Sequence, residues 1–253
     1  MSERDIPILE VHDLSHVYSK GTPFEQKALD HVNLNVERGE FVSLLGPSGC
    51  GKSTILKLLT GVLTPSDGSI RADGNEIHGI TGHFAYMPQN DLLFPWKTIL
   101  DNVCLYGEIH GSLARAREEA LKNFPAFGLT GYENSYPSAL SGGMRQRAAF
   151  LRTALCQADI LLLDEPFGAL DVITRSEMQD WLLAMRARLN RTVLLVTHDM
   201  DEAIYLSDRI LILNPAPAGI VSEIRIDEKK RDRNWLYEQG ELRKTISQKI
   251  KGF

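Results

Sequence analysis

The chain carries two kinds of apolar pattern, and each predicts a different kind of strand. Residues 8–14 and 32–36 alternate apolar and polar side chains, as strands with one solvated face do. Residues 41–45 form an apolar run that ends at Gly46, which is typical of a buried strand that enters a glycine loop. Further apolar runs predict buried strands at residues 160–163, 192–196 and 210–213.

Helical patterns lie between these strands. Residues 52–61 predict a helix that glycine ends, and residues 175–189 show helical periodicity. Residues from about 98 to 158 are rich in charge and helix formers, without a convincing buried strand, and they predict a helical subdomain. Because strands and helices alternate on both sides of it, we expect an α/β fold with a mostly parallel sheet covered by helices. A strand is predicted at residues 220–226 and a short helix-prone tail at residues 227–253.

Composition narrows the classes of protein that fit this pattern. The 253 residues are 43% hydrophobic, which is enough for one domain with a sizeable core. With 28 basic and 33 acidic residues the net charge is −5, which disfavours nonspecific nucleic-acid binding because that needs a positive surface. The three cysteines, at positions 50, 104 and 156, do not have the spacing of a metal site. Their odd number also disfavours a disulfide framework, and a reducing cytoplasm fits best. No run approaches the roughly 20 apolar residues that would span a bilayer.

A glycine-rich segment after the first buried strand fits the phosphate-binding pattern GxxxxGK(S/T) in full. Glycines let the backbone curl so that successive N–H groups point at phosphate oxygens, and the following helix adds its positive N-terminal end. Lys52 would neutralise the β- and γ-phosphates and so assist catalysis, and the Ser53 hydroxyl would bind Mg²⁺. A chance glycine turn is disfavoured because a strand precedes the segment and a helix follows it. The predicted nucleotide-binding residues are Gly46, Pro47, Ser48, Gly49, Cys50, Gly51, Lys52, Ser53 and Thr54.

Two carboxylates, Asp164 and Glu165, follow the apolar run at residues 160–163 and therefore lie at the carboxyl end of a predicted strand. Ligands of open α/β sheets bind at that edge. Asp164 would hold Mg²⁺ through water, and Glu165 is the candidate general base for the water that attacks the γ-phosphate. An acidic turn is the alternative interpretation, and the phosphate-binding segment upstream favours the functional one.

A second glycine-bearing run, LSGGMRQR at residues 140–147, lies between the phosphate-binding segment and the two carboxylates. This order of motifs closely resembles the ATP-binding cassette (ABC) ATPases. In that family the LSGG run faces the nucleotide held by a partner subunit. The resemblance therefore implies a dimer, and it assigns Ser141, Gly142 and Gly143 to the ATP of the partner. Their backbone N–H groups at a predicted helix start would favour an anion.

The resemblance extends to isolated residues that carry little signal alone. His198 resembles the histidine that contacts the γ-phosphate, and Gln89 resembles the glutamine that reaches Mg²⁺ and the attacking water. Tyr18 resembles the aromatic residue that stacks on adenine, with an ordinary core or surface tyrosine as the alternative. Gly168 departs from the pattern, since many relatives have serine there, and no side-chain role is assigned to it. The resemblance spans about residues 8–226.

Residues 91–103, DLLFPWKTILDNV, resemble one branch of the family. This branch contains the bacterial importer ATPases for nitrate, sulfonates and taurine, together with importers of thiamin pyrimidine precursors. Residues 164–171 (DEPFGALD) and 198–203 (HDMDEA) resemble the same branch. Trp96 and its neighbours are then implied to lie near the groove that receives a membrane partner. A buried packing role for Trp96 is the other interpretation, and the two are compatible.

The resemblance as a whole implies a P-loop NTPase fold in a single ABC ATPase domain over residues 1–253, with an antiparallel β portion near the N-terminus. It implies an ATPase that uses ATP and Mg²⁺ on the cytoplasmic face of the bacterial inner membrane. The implied partners are a second copy of the chain, two membrane permease subunits and, indirectly, an extracytoplasmic solute-binding protein, without nucleic acid. The alternatives are a soluble ABC ATPase that acts as a mechanical switch and the ATPase of a separate-chain exporter. A small-molecule kinase would leave residues 140–147 unexplained.

Overall fold

The computed structural model describes residues 6–189 and 191–252, without the side chains of residues 187–189. Its strands are β1 (Leu9–Tyr18), β2 (Gln26–Val36), β3 (Phe41–Leu45), β4 (Asp67–Ala72), β5 (Asn75–Glu76), β6 (Phe84–Met87), β7 (Ile160–Asp164), β8 (Thr192–Thr197), β9 (Arg209–Leu213) and β10 (Ile220–Arg225). Its helices are α1 (Lys52–Leu59), α2 (Ile99–Val103), α3 (Leu105–Ile109), α4 (Leu113–Asn123), α5 (Gly142–Ala154), α6 (Val172–Leu189), α7 (Met200–Leu206), α8 (Arg233–Glu238) and α9 (Gly240–Lys251). In this described part of the chain, no helix has the length and apolar character that crossing a membrane requires.

The larger sheet has six strands in the order β10-β9-β3-β8-β7-β6, and all except the edge strand β10 run parallel. One face packs against α1 and the smaller sheet, and the other packs against α5, α6 and α7, so β3, β7 and β8 are buried along their whole length. The register aligns Leu45 with Thr197 and Asp164 with Val196, and the three strands therefore end at one edge. The predicted parallel α/β fold is confirmed.

The smaller sheet is antiparallel, in the order β2-β1-β4-β5, and confirms the predicted β portion near the N-terminus. Both predicted strands are longer than the alternating pattern suggested, because β1 continues to Tyr18 and β2 begins at Gln26. The strands are irregular where Asp13 and His31 both adopt a positive φ of 48°. Such bulges shift which face a side chain points to, so the alternation stops while the strand continues.

Residues 98–158, all of which the structure describes, contain helices and turns and no strand. Their assignment as a separate subdomain stays a prediction. Trp181 on α6 connects this stretch to the rest of the molecule, because its ring lies 5.0 Å from Phe127 and 5.5 Å from Phe150. The helix predicted at residues 175–189 begins earlier, at Val172, because the Asp171 carboxylate accepts hydrogen bonds from the backbone at its start.

The C-terminal tail forms the helices α8 and α9 and docks on the large-sheet core. Leu236 and Ile246 are buried in the same apolar cluster as β3, β7 and β8. Arg233 donates to Asp180 on α6 at 2.9 Å, and Arg243 donates to Asp201 on α7. The tail therefore packs directly on the two helices that follow the carboxylate and histidine segments.

Arg209 joins the two sheets. Its side chain is only 4% exposed, and its Nε donates to Glu40 at 2.7 Å. Its Nη2 donates to the carbonyl oxygen of Asn35 in β2 at 2.6 Å, and its Nη1 donates to Glu223 in β10 at 3.2 Å. One buried guanidinium on β9 thus connects a strand of the smaller sheet with the edge of the larger one.

Replacing Arg209 with Met should destabilise the fold by about 3 kcal/mol, because the change leaves the Glu40 carboxylate largely buried without its cation. The measurement is urea unfolding of the full chain. Arg225→Met is the matched control, since Arg225 pairs with the same Glu223 but is 73% exposed, and it should cost less than about 0.5 kcal/mol. Equal losses in the two variants would show that the junction does not depend on this buried ion pair.

Candidate active site

The phosphate-binding loop is held in shape by its own lysine. Lys52 opens α1, and its buried Nζ donates to the carbonyl oxygens of Gly46 at 2.7 Å and Pro47 at 2.9 Å. The preceding residue, Gly51, has a φ of 116°, and a Cβ there would lie 2.8 Å from Leu29 Cδ2. Only glycine satisfies both that conformation and that space. The loop therefore closes around an ammonium group at the N-terminus of a helix, which is a favourable place for an anion.

Asp164 and Glu165 lie at the carboxyl end of β7, as predicted. Burial raises the pKa of the Asp164 carboxyl, while the Tyr86 hydroxyl donates to its Oδ2 at 2.9 Å and acts in the opposite direction. Glu165 adopts a φ of 45°, a left-handed conformation that is uncommon outside glycine, and the strand ends there. Its N–H still donates to the carbonyl oxygen of Val196 at 2.9 Å, which keeps Glu165 at the sheet edge.

Residues from three separate segments meet at this edge. The Nδ1 of His198 lies 3.1 Å from Oε2 of Glu165, because the parallel neighbours β7 and β8 end side by side. The N–H of Gly168 donates to the carbonyl oxygen of Glu165 at 3.0 Å. A Cβ at Gly168 would lie 3.3 Å from Nε2 of Gln89 and 3.7 Å from Oε2 of Glu165. The structure therefore brings Gln89, Glu165 and His198 together.

A cleft of about 440 Å³ joins this group to the phosphate-binding loop, and it is lined by Tyr18, Gln89, Glu165 and residues of that loop. The hydroxyl of Tyr18 is 3.1 Å from Oγ1 of Thr54, which connects β1 with α1. A larger cavity of about 560 Å³ lies between α6 and the C-terminal tail, away from every predicted site residue. The smaller cleft is therefore the one that combines anion-binding and acid–base groups.

The residues Ser141, Gly142 and Gly143 lie outside this cleft. Ser141 is exposed at the start of α5, where its Oγ accepts a hydrogen bond from the N–H of Met144 at 3.3 Å. A Cβ at Gly143 would lie 2.8 Å from Cγ2 of Thr174, so glycine permits the close approach of α5 and α6. Within one chain, the predicted residues therefore form two groups, one in and around the cleft and the other at the start of α5.

The segment after Gln89 is anchored on α5. Arg145 donates to the Asp91 carboxylate at 3.2 Å, and Arg152 donates to the carbonyl oxygens of Asp91 at 2.6 Å and Leu92 at 2.8 Å. Trp96 is 71% exposed and stacks on Phe94 with ring centroids 5.1 Å apart. The interpretation of Trp96 as a buried packing residue is therefore wrong, because the loop presents this indole to solvent.

Donor atoms in and next to the cleft suit a nucleotide-bound Mg²⁺. Ser53 and Gln89 line the cleft and offer a hydroxyl and an amide oxygen, and the buried Asp164, next to Glu165 in the chain, offers a carboxylate. The proximity of Glu165 also raises the pKa of Asp164, and a divalent cation would relieve this repulsion. Among the described residues, no cluster of three His, Cys, Asp or Glu could hold a metal alone.

Sequence reasoning missed three polar residues that support the site. Tyr86 donates to Asp164, Gln146 donates to the carbonyl oxygen of Pro166 just after the two carboxylates, and Glu202 accepts from the hydroxyl of Thr197. Glu202 is 3% exposed, and burial raises its pKa to about 7 although the hydrogen bond from Thr197 acts in the opposite direction. No local signal marked Tyr86 or Gln146, because the partner of each lies far away in the sequence.

Comparison with known proteins gives a consistent result. Residues 29–168 match the ABC transporter family. The formylaminopyrimidine import ATP-binding protein ThiZ of Halalkalibacterium halodurans is 41% identical over 243 residues, covering 96% of this chain and 94% of that protein. The aliphatic sulfonates import ATP-binding protein SsuB 1 of Rhodococcus jostii is 46% identical over 86% of this chain and 83% of its own length.

A solved structure shows the same architecture. The dimeric post-hydrolysis state of the ATP-binding cassette MJ0796, bound to ADP and phosphate, aligns with a TM-score of 0.72 and 28% identity. The alignment covers 87% of this chain and 99% of that one. The resemblance to the ABC ATPases and the P-loop NTPase fold that it implied are both confirmed.

The buried carboxyl of Glu202 should make stability depend on pH. Because its pKa of about 7 exceeds the ordinary 4.5, the folded protein retains a proton in this range that the unfolded chain releases. The free energy of unfolding should therefore fall as pH rises through the range, by on the order of 3 kcal/mol from this group. Between about pH 5 and pH 8, the free energy of unfolding measured with urea should fall less in Glu202→Gln than in the wild type, because the glutamine side chain does not titrate. The same fall in both proteins would contradict this assignment.

Proposed function

Because the chain belongs to the ABC transporter family, we propose that it is the ATP-hydrolysing subunit of a bacterial importer for a small organic or anionic solute. The observation that carries the proposal is the pairing of Glu165 with His198 at the edge of the cleft that contains the phosphate-binding loop. The solute class follows the relatives, which are named for the import of formylaminopyrimidine and aliphatic sulfonates. The sequence of residues 91–103 supports the same group, which includes taurine and nitrate importers.

ATP would bind with its phosphates in the loop from Gly46 to Thr54. Backbone N–H groups and the α1 N-terminus would receive the phosphate oxygens, and Lys52 would exchange its carbonyl partners for the β- and γ-phosphates. Adenine would stack on Tyr18, whose ring borders the same cleft. Ser53, Gln89 and, through water, Asp164 would hold Mg²⁺, which neutralises phosphate charge when bound.

Glu165 would act as the general base that takes a proton from the attacking water. The Oε2 atom of this carboxylate also lies 3.1 Å from Nδ1 of His198. The ring nitrogen left for the γ-phosphate is then Nε2, and the contact with Glu165 orients the imidazole for that task. Gln89, beside Glu165, would orient the water.

A second copy of the chain would complete each site. Ser141 and the two glycines after it lie at an exposed helix start outside their own cleft, where they could meet the ATP of a partner. Closure of the pair on two ATP molecules would then move the loop from Gln89 to Trp96, which Arg145 and Arg152 anchor on the same helix. We infer that the loops of the two copies contact two permease subunits at the cytoplasmic face of the inner membrane, with an extracytoplasmic binding protein supplying solute.

Glu165→Gln should retain ATP binding and lower kcat at least about 100-fold, because the amide cannot accept the proton of the attacking water. Gel filtration with ATP should show a trapped dimer. Glu177→Gln, the same change at an exposed position of α6, should leave both properties unchanged. Wild-type turnover in the Glu165 variant would remove Glu165 as the general base.

The importer assignment is tested by affinity purification of the tagged full chain from native membranes in mild detergent. A multi-span membrane protein should be recovered in stoichiometric amount, because the proposed role requires permease subunits. Ligand screening of an associated binding protein would then identify the solute. Recovery only from the soluble fraction, with ribosomal or DNA-associated partners, would overturn the importer while the ATPase remained.

A further inference from the structure

Glu202 is a buried carboxyl that the hydrolysis reaction described above does not use. It lies in the first turn of α7, and its Oε2 accepts a hydrogen bond from the hydroxyl of Thr197. Thr197 is the last residue of β8 and immediately precedes His198. Burying a carboxyl costs free energy that an apolar side chain of similar size would avoid. The presence of a carboxyl here, hydrogen-bonded to Thr197, is therefore not explained by packing alone.

Thr197 holds the backbone on both sides of His198. Its Oγ1 accepts from the N–H of Asp199 at 3.0 Å, so its single hydroxyl proton is the one donated to Glu202. The Asp199 carboxylate in turn caps α7 by accepting from the N–H of Asp201 at 2.8 Å and that of Glu202 at 3.1 Å. The turn that carries His198 is therefore tied to α7 through Glu202.

The same carboxyl lies next to a residue that contacts the C-terminal tail. Gln179 on α6 is 4% exposed, and its proximity lowers the pKa of the Glu202 carboxyl, against the larger effect of burial. The Oε1 of Gln179 accepts from Nη1 of Arg233 at 3.1 Å, and Arg233 also lies over the Tyr205 ring at 4.5 Å. Arg233 opens α8 in the tail. A row of polar side chains thus leads from the tail across α6 and α7 to the segment that carries His198.

We propose that Glu202 is a positioning residue for His198, and that the C-terminal tail sets the orientation of this histidine through Arg233 and Gln179. The inference rests on the proposed role of His198 at the γ-phosphate. None of the four residues in the path, Arg233, Gln179, Glu202 and Thr197, lines the cleft that would hold ATP. Disturbing the path should therefore lower kcat and leave the KM for ATP unchanged. The tail then supports hydrolysis from outside the cleft, because loss of the Arg233 contact with α6 should slow it.

The Thr197 contact is tested with two variants of the full chain. Thr197→Val has nearly the same shape without the hydroxyl, and it should lower kcat about tenfold with KM within about twofold, since small displacements of reacting groups are costly. Thr197→Ser keeps the hydroxyl and should retain kcat within about twofold of wild type. An equal loss in both variants would indicate a packing effect and would overturn the positioning role.

The contribution of the tail is tested with a matched pair of arginines. Arg233→Ala breaks the path at Gln179 and should lower kcat about threefold or more at constant KM. Arg243→Ala is the control, because Arg243 also anchors the tail on α7 but its contacts end at Asp201 and at backbone carbonyl oxygens. It should leave kcat unchanged. A similar loss in both variants would mean that tail docking in general matters, and not the path through Gln179.

Wild-type protein separates this inference from the proposed function. Absence of ATP hydrolysis by the wild type, alone and with its membrane partners, would overturn the proposed function. Normal hydrolysis by the wild type together with wild-type kcat in Thr197→Val and Arg233→Ala would overturn the positioning path alone. Circular dichroism of each variant confirms that the chain is folded before its kinetics are compared.

Discussion

The parallel register of β3, β8 and β7 is the constraint on which the rest of the site depends. Leu45 pairs with Thr197, and Val196 pairs with Asp164, so three buried strands end at one edge. The chain leaves that edge at Gly46, Glu165 and His198, which carry the phosphate-binding loop, the carboxylate and the imidazole. A shift of one strand by two residues would move its functional group by about 7 Å, beyond hydrogen-bond reach. Helices and the smaller sheet bury both faces and thereby hold the register.

The helix α5 contacts several separate parts of the site. Its start carries Ser141, its second turn places Gln146 against the carbonyl oxygen of Pro166, and Arg145 and Arg152 hold the loop after Gln89. The surface proposed to meet a partner's ATP and the loop proposed to meet a permease therefore both contact one helix.

Much of the fold and the site could be predicted because the relevant signals are local. The bounds of β3 match the apolar run at residues 41–45, and three other buried strands differ from prediction by one residue at one end. The phosphate-binding loop needs consecutive glycines before a lysine, and this requirement appears directly in the sequence. Residues at strand ends, such as Glu165 and His198, could be placed at the ligand edge from strand position alone.

The sequence by itself therefore determined most of the buried strands, the ligand edge and the family. Tertiary structure alone decided which polar groups lie buried together, because burial depends on contacts between residues far apart in the chain. Tyr86 reaches Asp164 across a strand pair, and Arg209 reaches Glu40 between the two sheets. Glu202 carries no local signal of its burial in the sequence, yet it lies buried against Thr197 at the end of β8, and this burial raises its pKa. The local sequence pattern indicates which face of an element a residue occupies. The polarity around that residue and its hydrogen-bond partners depend on the tertiary packing.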